Sequence, residues 1–500
     1  MLKTKTSLTT LAALGALILS APAAAHPVGA YTTKGAWSFF SARGLHPPKL
    51  KLDSSSQRSK LAPGYIFLSN SANTANGALV VGQSGPLILD SHLQPVWFKP
   101  VPTNVLASNL ELQSYNGAPA LSWWQGDVNG LGVTTRGEYV VVDQHYHQIA
   151  TLTGKNGWLL SLHEFVITGH DAWVTAYKTV SKDLSRYHGS KHGKLLDAAA
   201  QEYDLTSGKL LHSWDLVKHI SLGSSQQPAP KSGVWDAYHL NSIQIIGSNE
   251  ILISARNTWA AYLVNTSTGK IVWTLSGKPH TGNFTVAKNA RFEWQHDVRM
   301  QGNLVSIFDD ACCRAISTGV FANPNGSARG LILKLDLTHH TAKLDGQYTH
   351  GGNFFVAFLG NTELLPNGNV MVGWGSHPNS PFTEYTHSGH KLLDASFPKP
   401  DESYRALVEQ WTGLPSTNPS GAVRTSKGKA TVYASWNGAT EVAKWRVLAG
   451  PNTSHLVASS TKGRSGFETA IKLTKSYKLY ELQALNSSNV VIGTSVVFTK

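Results

Sequence analysis

Cysteine is almost missing from this 500-residue chain, which has two, Cys312 and Cys313, side by side. A fold stapled by many disulfides is therefore excluded. Neighbouring cysteines can close a strained ring on each other, stay as thiols or pair between molecules, and the sequence leaves all three open. Long apolar runs are scarce too. Leu11 to Leu19 is too short to span a bilayer as a helix, and no later run is long enough. Acidic residues are outnumbered, 30 against 43 basic, for a net charge of +13. The basic residues are scattered, with one modest cluster at Lys49, Lys51, Arg58 and Lys60 and no block of five or six. That pattern speaks against a nucleic-acid partner and favours steering of small anions. Several reaction signatures are missing as well: there is no HExxH pair, no G-x-S-x-G elbow and no phosphate loop.

A leader is present. Lys3 and Lys5, the apolar run and Ala23-Ala24-Ala25 together read as a secretory signal over residues 1–25, with cleavage before His26. Without the two lysines the net charge falls to +11. The mature chain is expected to be secreted, extracellular or periplasmic, with no transmembrane segment.

Helical periodicity is nearly confined to two short stretches, Leu195 to Tyr203 and Tyr404 to Trp411. Elsewhere, apolar runs of four to eight residues alternate with Gly, Asn, Asp and Ser turns, an all-β pattern. A loose repeat runs through it. Gly85 to Asp90 leads to Val96 to Phe98, and Glu138 to Asp143 leads to Ile149 to Leu152. Similar pairs follow at Glu202 to Trp214, Ala261 to Trp273, Leu331 to Tyr348 and Phe382 to Phe397. Six such units predict a six-bladed β-propeller over 61–414, after an N-terminal extension at 26–60. Beyond a Pro/Ser/Gly linker at 415–421 the strands are short and alternating. Residues 422–500 are expected to form a small immunoglobulin or fibronectin III-like β-sandwich, suited to surface or protein contacts.

Three stretches put polar groups where a plain β-repeat wants apolar ones. They are Asp236 to Asn241, Ile253 to Asn257 and Trp294 to Asp297. His239 and Asn241, two apart, would share one face of a strand. Arg256 ends an apolar run and needs an anionic partner: a structural carboxylate such as Asp236 or Asp297, or a sulfate, phosphate or carboxylate of a substrate. His296 precedes another strand, with Asp297 or a backbone carbonyl to set its tautomer. His163 is a fourth candidate. His145, His147, His339 and His340 read as ordinary turn residues. Trp123, Trp124 and Trp374 are candidates to stack on an aromatic ring, although tryptophans in such repeats mostly fill cores. No metal and no cofactor are expected, because HExxH is missing and an arginine beside the histidines repels a cation.

These residues carry a resemblance. Leu45-His-Pro-Pro-Lys49, Leu121 to Gly126, Leu162-His-Glu-Phe165, Asp236 to Ser242, Ile253 to Arg256, Trp294 to Asp297 and Gly373-Trp-Gly375 occur in the order seen in the arylsulfotransferase family of secreted propeller enzymes. The chain is similar to that family's fungal and bacterial branch from about residue 40 to about residue 412. The resemblance implies transfer of a sulfuryl group from a phenolic sulfate to a phenol through a covalent sulfohistidine, with neither nucleotide nor metal. It implies His296 as nucleophile, with His239, Asn241 and Arg256 on the sulfuryl oxygens and His163 as the remaining active-site histidine. The alternatives are a non-enzymatic propeller that binds glycans or proteins, a quinone-dependent dehydrogenase on a similar propeller, and a sulfatase with water as acceptor.

Overall fold

The computed structural model describes residues 31–72, 79–102, 105–127, 137–312, 327–352, 354–377, 379 and 381–500. The expected leader and Cys313 lie outside them. The described chain is all-β. Its one α-helix there is the single turn Leu216–His219.

From Tyr65 to Ser396 the main strands form six successive sheets, antiparallel except where the two-residue strands Val234–Trp235 and Thr285–Val286 add in parallel. Their first strands are Tyr65–Ala72, Leu106–Tyr115, Leu159–Thr168, Leu240–Ile246, His296–Gln301 and Asn361–Leu364. Each first strand touches that of the next sheet. The strand Leu407–Glu409 then pairs with Tyr65–Phe67 of the first sheet and contacts the sixth. The arrangement is a closed, propeller-like ring.

Apolar packing explains the ring. Six buried clusters occur, each shared by two neighbouring sheets. Ile251 and Ile253 pack toward the third sheet, while Leu252 between them packs toward the fifth. A strand buried on both faces has no polar side. That is why the sequence shows continuous apolar runs rather than strict alternation. Burial of each such side chain contributes roughly 1.5–3 kcal/mol.

Turn chemistry explains the repeat. The six units read in the sequence fall on the last two strands of the six sheets. At each turn a side-chain oxygen captures backbone N–H groups. Asp90 accepts from His92 and Gln94, Asp143 from His145 and His147, and Asp336 from Thr338 and His339. Asn265 accepts from Thr268 in the same way. His145, His147 and His339 are accordingly exposed turn residues.

Both expected helices are corrected. Leu195 to Tyr203 lies within the strand Gly193–Asp204, which pairs with Asp171–Lys182 along its whole length. Twelve paired residues outweigh the helix preference of Ala198-Ala199-Ala200. Tyr404 to Trp411 contains the closing strand Leu407–Glu409.

After the ring come two further sheets. One has three strands, Ser420–Ser426, Lys429–Ser435 and Glu468–Leu473; the other has four, including Lys444–Gly450 and Leu479–Leu485. They enclose one apolar cluster around Val432, Trp445, Val447, Tyr480 and Leu482. The extension packs against this unit through Phe39 on Phe467 and Phe40 on Tyr433. No helix among the described residues is long and apolar enough to cross a membrane.

Candidate active site

Three neighbouring sheets send a histidine to one point. His163 lies on the strand Leu159–Thr168, His239 just before Leu240–Ile246, and His296 at the start of His296–Gln301. Ring centroids are 5.0 Å apart for His163 and His239, 5.8 Å for His239 and His296, and 6.1 Å for His163 and His296. His163 and His296 are buried and His239 is half-buried.

The backbone is contorted to make this happen. His239, Trp294, Asp297 and Leu359 all have left-handed φ, at 53°, 59°, 51° and 68°. Such a conformation costs a non-glycine residue about 1–2 kcal/mol, and four such residues gather around the histidines. At His239 it breaks the regular strand assumed from the sequence, and the pairing register shifts beside Asn241. Gly360 and Gly375 admit the segment 354–360 alongside. A Cβ on Gly375 would lie 2.5 Å from the carbonyl carbon of Leu359.

Each imidazole is held through Nδ1. His239 Nδ1 is 2.6 Å from Asp236 Oδ2, and His296 Nδ1 is 3.0 Å from Asp310 Oδ2. His163 Nδ1 bonds Ser161 Oγ. The Leu359 N–H donates to His296 Nε2 at 3.3 Å. Burial pushes the Asp310 carboxyl well up, against the pull of Arg256. That would favour a proton on Asp310, whereas the Leu359 N–H requires a lone pair on Nε2. The donor geometry decides the tautomer: His296 carries its proton on Nδ1 and presents Nε2 as a base. Burial, with Arg256 and the other histidines, holds His296 well below the usual imidazole range. Burial likewise lowers His163, helped by His239 and Arg405. Both rings are therefore neutral at neutral pH.

Arg256 has Asp310 as its carboxylate, with Nε 3.5 Å from Oδ2, rather than Asp236 or Asp297. Its Nη2 donates to Ala357 O at 2.7 Å and lies 3.3 Å from Cys312 Sγ. Cys312 is in a disulfide, and Cys313 is the chain's other cysteine. Asn241 Nδ2 donates to Gln295 O at 2.7 Å, while its buried Oδ1 has no partner among the described residues.

Behind the histidines lies a charged layer that sequence reading misses. Arg405 grips Glu164 in a two-point fork at 3.1 and 3.0 Å and reaches Asp297 at 2.9 Å and Glu111. Arg299 bonds the same Glu164 and Asp297 at 2.6 and 2.7 Å. Asp297 is thus committed to arginines and does not orient His296, a second correction. Tyr404 donates to Asn241 O at 2.9 Å, and its ring meets His163 edge-on at 5.5 Å.

Two guanidinium groups here face three carboxylates. Burial and the neighbouring Glu164 push Glu111 up to about 8, so it is the carboxylate that keeps a proton at neutral pH. The folded state then holds a proton that the unfolded chain releases above its ordinary value of 4.5. Glu111's contribution to stability is complete below that value and is lost as pH rises through about 8. Replacing it by Glu111→Gln should flatten the fall in stability toward alkaline pH, as read from urea midpoints on both sides of neutrality. A wild-type slope retained in the variant would remove Glu111 from this role.

The three tryptophans are corrected. Trp123 and Trp124 are buried between the first, second and third sheets, and Trp374 between the fifth and sixth. Trp374 Nε1 donates to Thr383 inside that core. None presents a ring face at the histidines, because the apolar intersheet layers absorb them. Two exposed aromatic rings lie on the adjoining segment, where Phe355 and Phe358 are 40% and 38% accessible.

The donor set itself could hold a metal. One nitrogen from each histidine lies within 4.8 Å of the other two, a spacing that suits a divalent ion. HExxH is irrelevant when the ligands come from three sheets; against a cation stand the positive charge of Arg256 and the Leu359 N–H already on His296 Nε2.

Among known proteins, no curated sequence matches this chain. Solved structures match in part. A Bacteroides caccae protein of unknown function shares 11% identity over 69% of this chain and 100% of its own, with a TM-score of 0.39. Apo AztD from Citrobacter koseri shares 12% identity over 83% of this chain and 99% of its own, with a TM-score of 0.29. Neither likeness is close enough to bear on the assignment. The model of the arylsulfotransferase (ASST) family matches residues 111–398, which span all three histidines, Asn241, Arg256 and Asp310. This chain belongs to the arylsulfotransferase family.

Proposed function

We propose that the chain is an exported aryl sulfotransferase, built as a six-bladed propeller over 61–414 with a C-terminal β-sandwich over 422–500. The observation that carries the reading is His296: a neutral, buried imidazole, oriented through Nδ1 by Asp310, with its ring beside two further histidines. In the first half-reaction the Nε2 lone pair attacks sulfur and the S–O bond to the aryl group breaks. The phenolate leaves with that electron pair and takes a proton from His239. In the second half-reaction an acceptor phenol returns a proton to His239, its oxygen attacks sulfur, and the S–N bond breaks back onto His296. Asp236 keeps His239 in place for both transfers. The transition state is loose, with charge on the outer oxygens. Donors there matter most: the second Nδ2–H of Asn241, Nε2–H of His163, and the field of Arg256. Phe355 and Phe358, exposed on the segment whose Leu359 meets His296, are the rings proposed to meet an aryl group.

The test is the intact mass of the protein mixed with nitrophenyl sulfate. Gain of one SO₃, mapped to His296 and lost on addition of phenol, is the expected result. Turnover with no adduct under single-turnover conditions would sink the covalent route. The same three nitrogens favour a second reading, a metal-dependent transfer or hydrolysis. Dialysis against a chelator separates the two, since only the second loses activity.

A further inference from the structure

The net charge of this chain is concentrated at one end. Residues 420–500 carry eleven lysines and arginines against three glutamates and no aspartate, a net of +8 out of the chain's +13. Nothing in sulfuryl transfer requires this, and the unit contributes no residue to the histidine cluster.

Strand register shows where part of the charge sits. Arg424 pairs with Thr431, and Thr431 with Lys472, so the three form one row across the three-stranded sheet. On Lys429–Ser435 the side chains of Ala430, Val432 and Ala434 point into the core. Thr431 therefore belongs to the outer face, and so do its row partners Arg424 and Lys472. Both are exposed. With Lys427, Lys429 and Lys500 they line a groove of about 750 Å³. Arg424 is held in place, its guanidinium 4.1 Å from the ring of Phe40. The carboxylate on the same sheet, Glu468, is engaged at 2.6 Å by the hydroxyl and the N–H of Ser41. Five cationic side chains thus share one surface with no acidic side chain lining it, a repulsive arrangement unless an anion covers it.

We propose that this groove binds an anionic polysaccharide, a carboxylated or sulfated glycan chain. Three observations choose that occupant. Arg424 and Lys472 sit two strands apart, about 10 Å at the usual strand spacing. That suits charges repeated once per disaccharide, whereas a nucleic-acid strand carries a charge every ~3.4 Å. The groove lining holds no aromatic ring on which bases could stack. The exposed strand valines and isoleucine of this unit, Val457, Val491 and Ile492, lie on the other sheet, while the apolar residues lining the groove, Val423, Ala430 and Leu473, are half-buried or buried and poorly placed to insert into a lipid surface. The inference does not depend on the chemistry proposed for His296.

The experiment uses the full-length protein with heparin as the probe, read by titration at several salt concentrations. Heparin should bind, with affinity falling as salt rises. The triple variant Arg424→Ser, Lys429→Ser, Lys472→Ser should weaken binding at least about tenfold. A control carrying Lys155→Ser, Lys209→Ser and Lys334→Ser removes the same charge from exposed positions on the ring and should stay within about twofold of wild type, because screening limits distant charges. No binding, equal losses in both variants, or tighter binding to duplex DNA or to anionic vesicles than to heparin would each overturn the proposal.

Discussion

His296→Ala should lower sulfuryl transfer by at least about a thousandfold, because on the proposed route it removes the atom that carries the group and not merely a helper. The fold should survive, since the lost side chain lies at the centre of the propeller-like ring and outside the apolar intersheet clusters. The melting temperature checks this. Asp310→Asn is the sharper companion test. The amide would keep the volume but lose the charge that holds Nδ1–H, so the rate should fall about 10–100-fold. The pH profile distinguishes positioning from packing. Burial and Arg256 hold His296 below the ordinary imidazole range, so wild-type activity should persist into mildly acidic pH, with its acid limb set where the ring gains a proton. With Asp310 replaced, that limb should move. A fully active His296→Ala protein would end the mechanism. An Asp310→Asn enzyme with unchanged rate and profile would show that Asp310 only fills space.

Arg405→Met should be the most damaging single change to stability. Removing one partner from a buried ion pair costs about 3–5 kcal/mol, because the remaining charges are left without a counter-ion. Here Glu164 is fully buried and Asp297 nearly so, and both would keep only Arg299. Denaturant unfolding should show the loss as a shift in midpoint. Glu164→Gln made together with Arg405→Met should recover part of it, because it removes one of the stranded charges. Equal stability of the single and double variants would mean that Glu164 is not what Arg405 serves.

Local chemistry is legible in the sequence and long-range chemistry is not. Acidic and amide turns repeat along the chain, and each lies on the last hairpin of a sheet, since an Asx turn needs only its own neighbours. His163, His239, Asn241, Arg256 and His296 stand out because each interrupts an apolar run. Asp310 does not, because fourteen residues and a hairpin separate it from His296, and only sheet pairing brings them together. Arg405 is invisible for the same reason: its partner Glu164 belongs to the third sheet. Trp123, Trp124 and Trp374 fail as ring-stacking candidates because a strand between two sheets has no free face. Residues 195–203 fail as a helix because pairing on both sides outweighs alanine's preference.

Tyr404 and Arg405 lie just ahead of the strand that closes the ring, although they brace residues from the second to the fifth sheet. On the proposed function, the order of synthesis would then govern when chemistry can begin. A nascent chain carries all three histidines through the last part of its translation, yet the sheets that hold them lack the bracing of Tyr404 and Arg405 until that segment has emerged and the first and last strands have met. For a chain that crosses a membrane unfolded, the precursor would be inert toward the phenols of the compartment that makes it. The catalyst would come into being only where the polypeptide finally closes on itself.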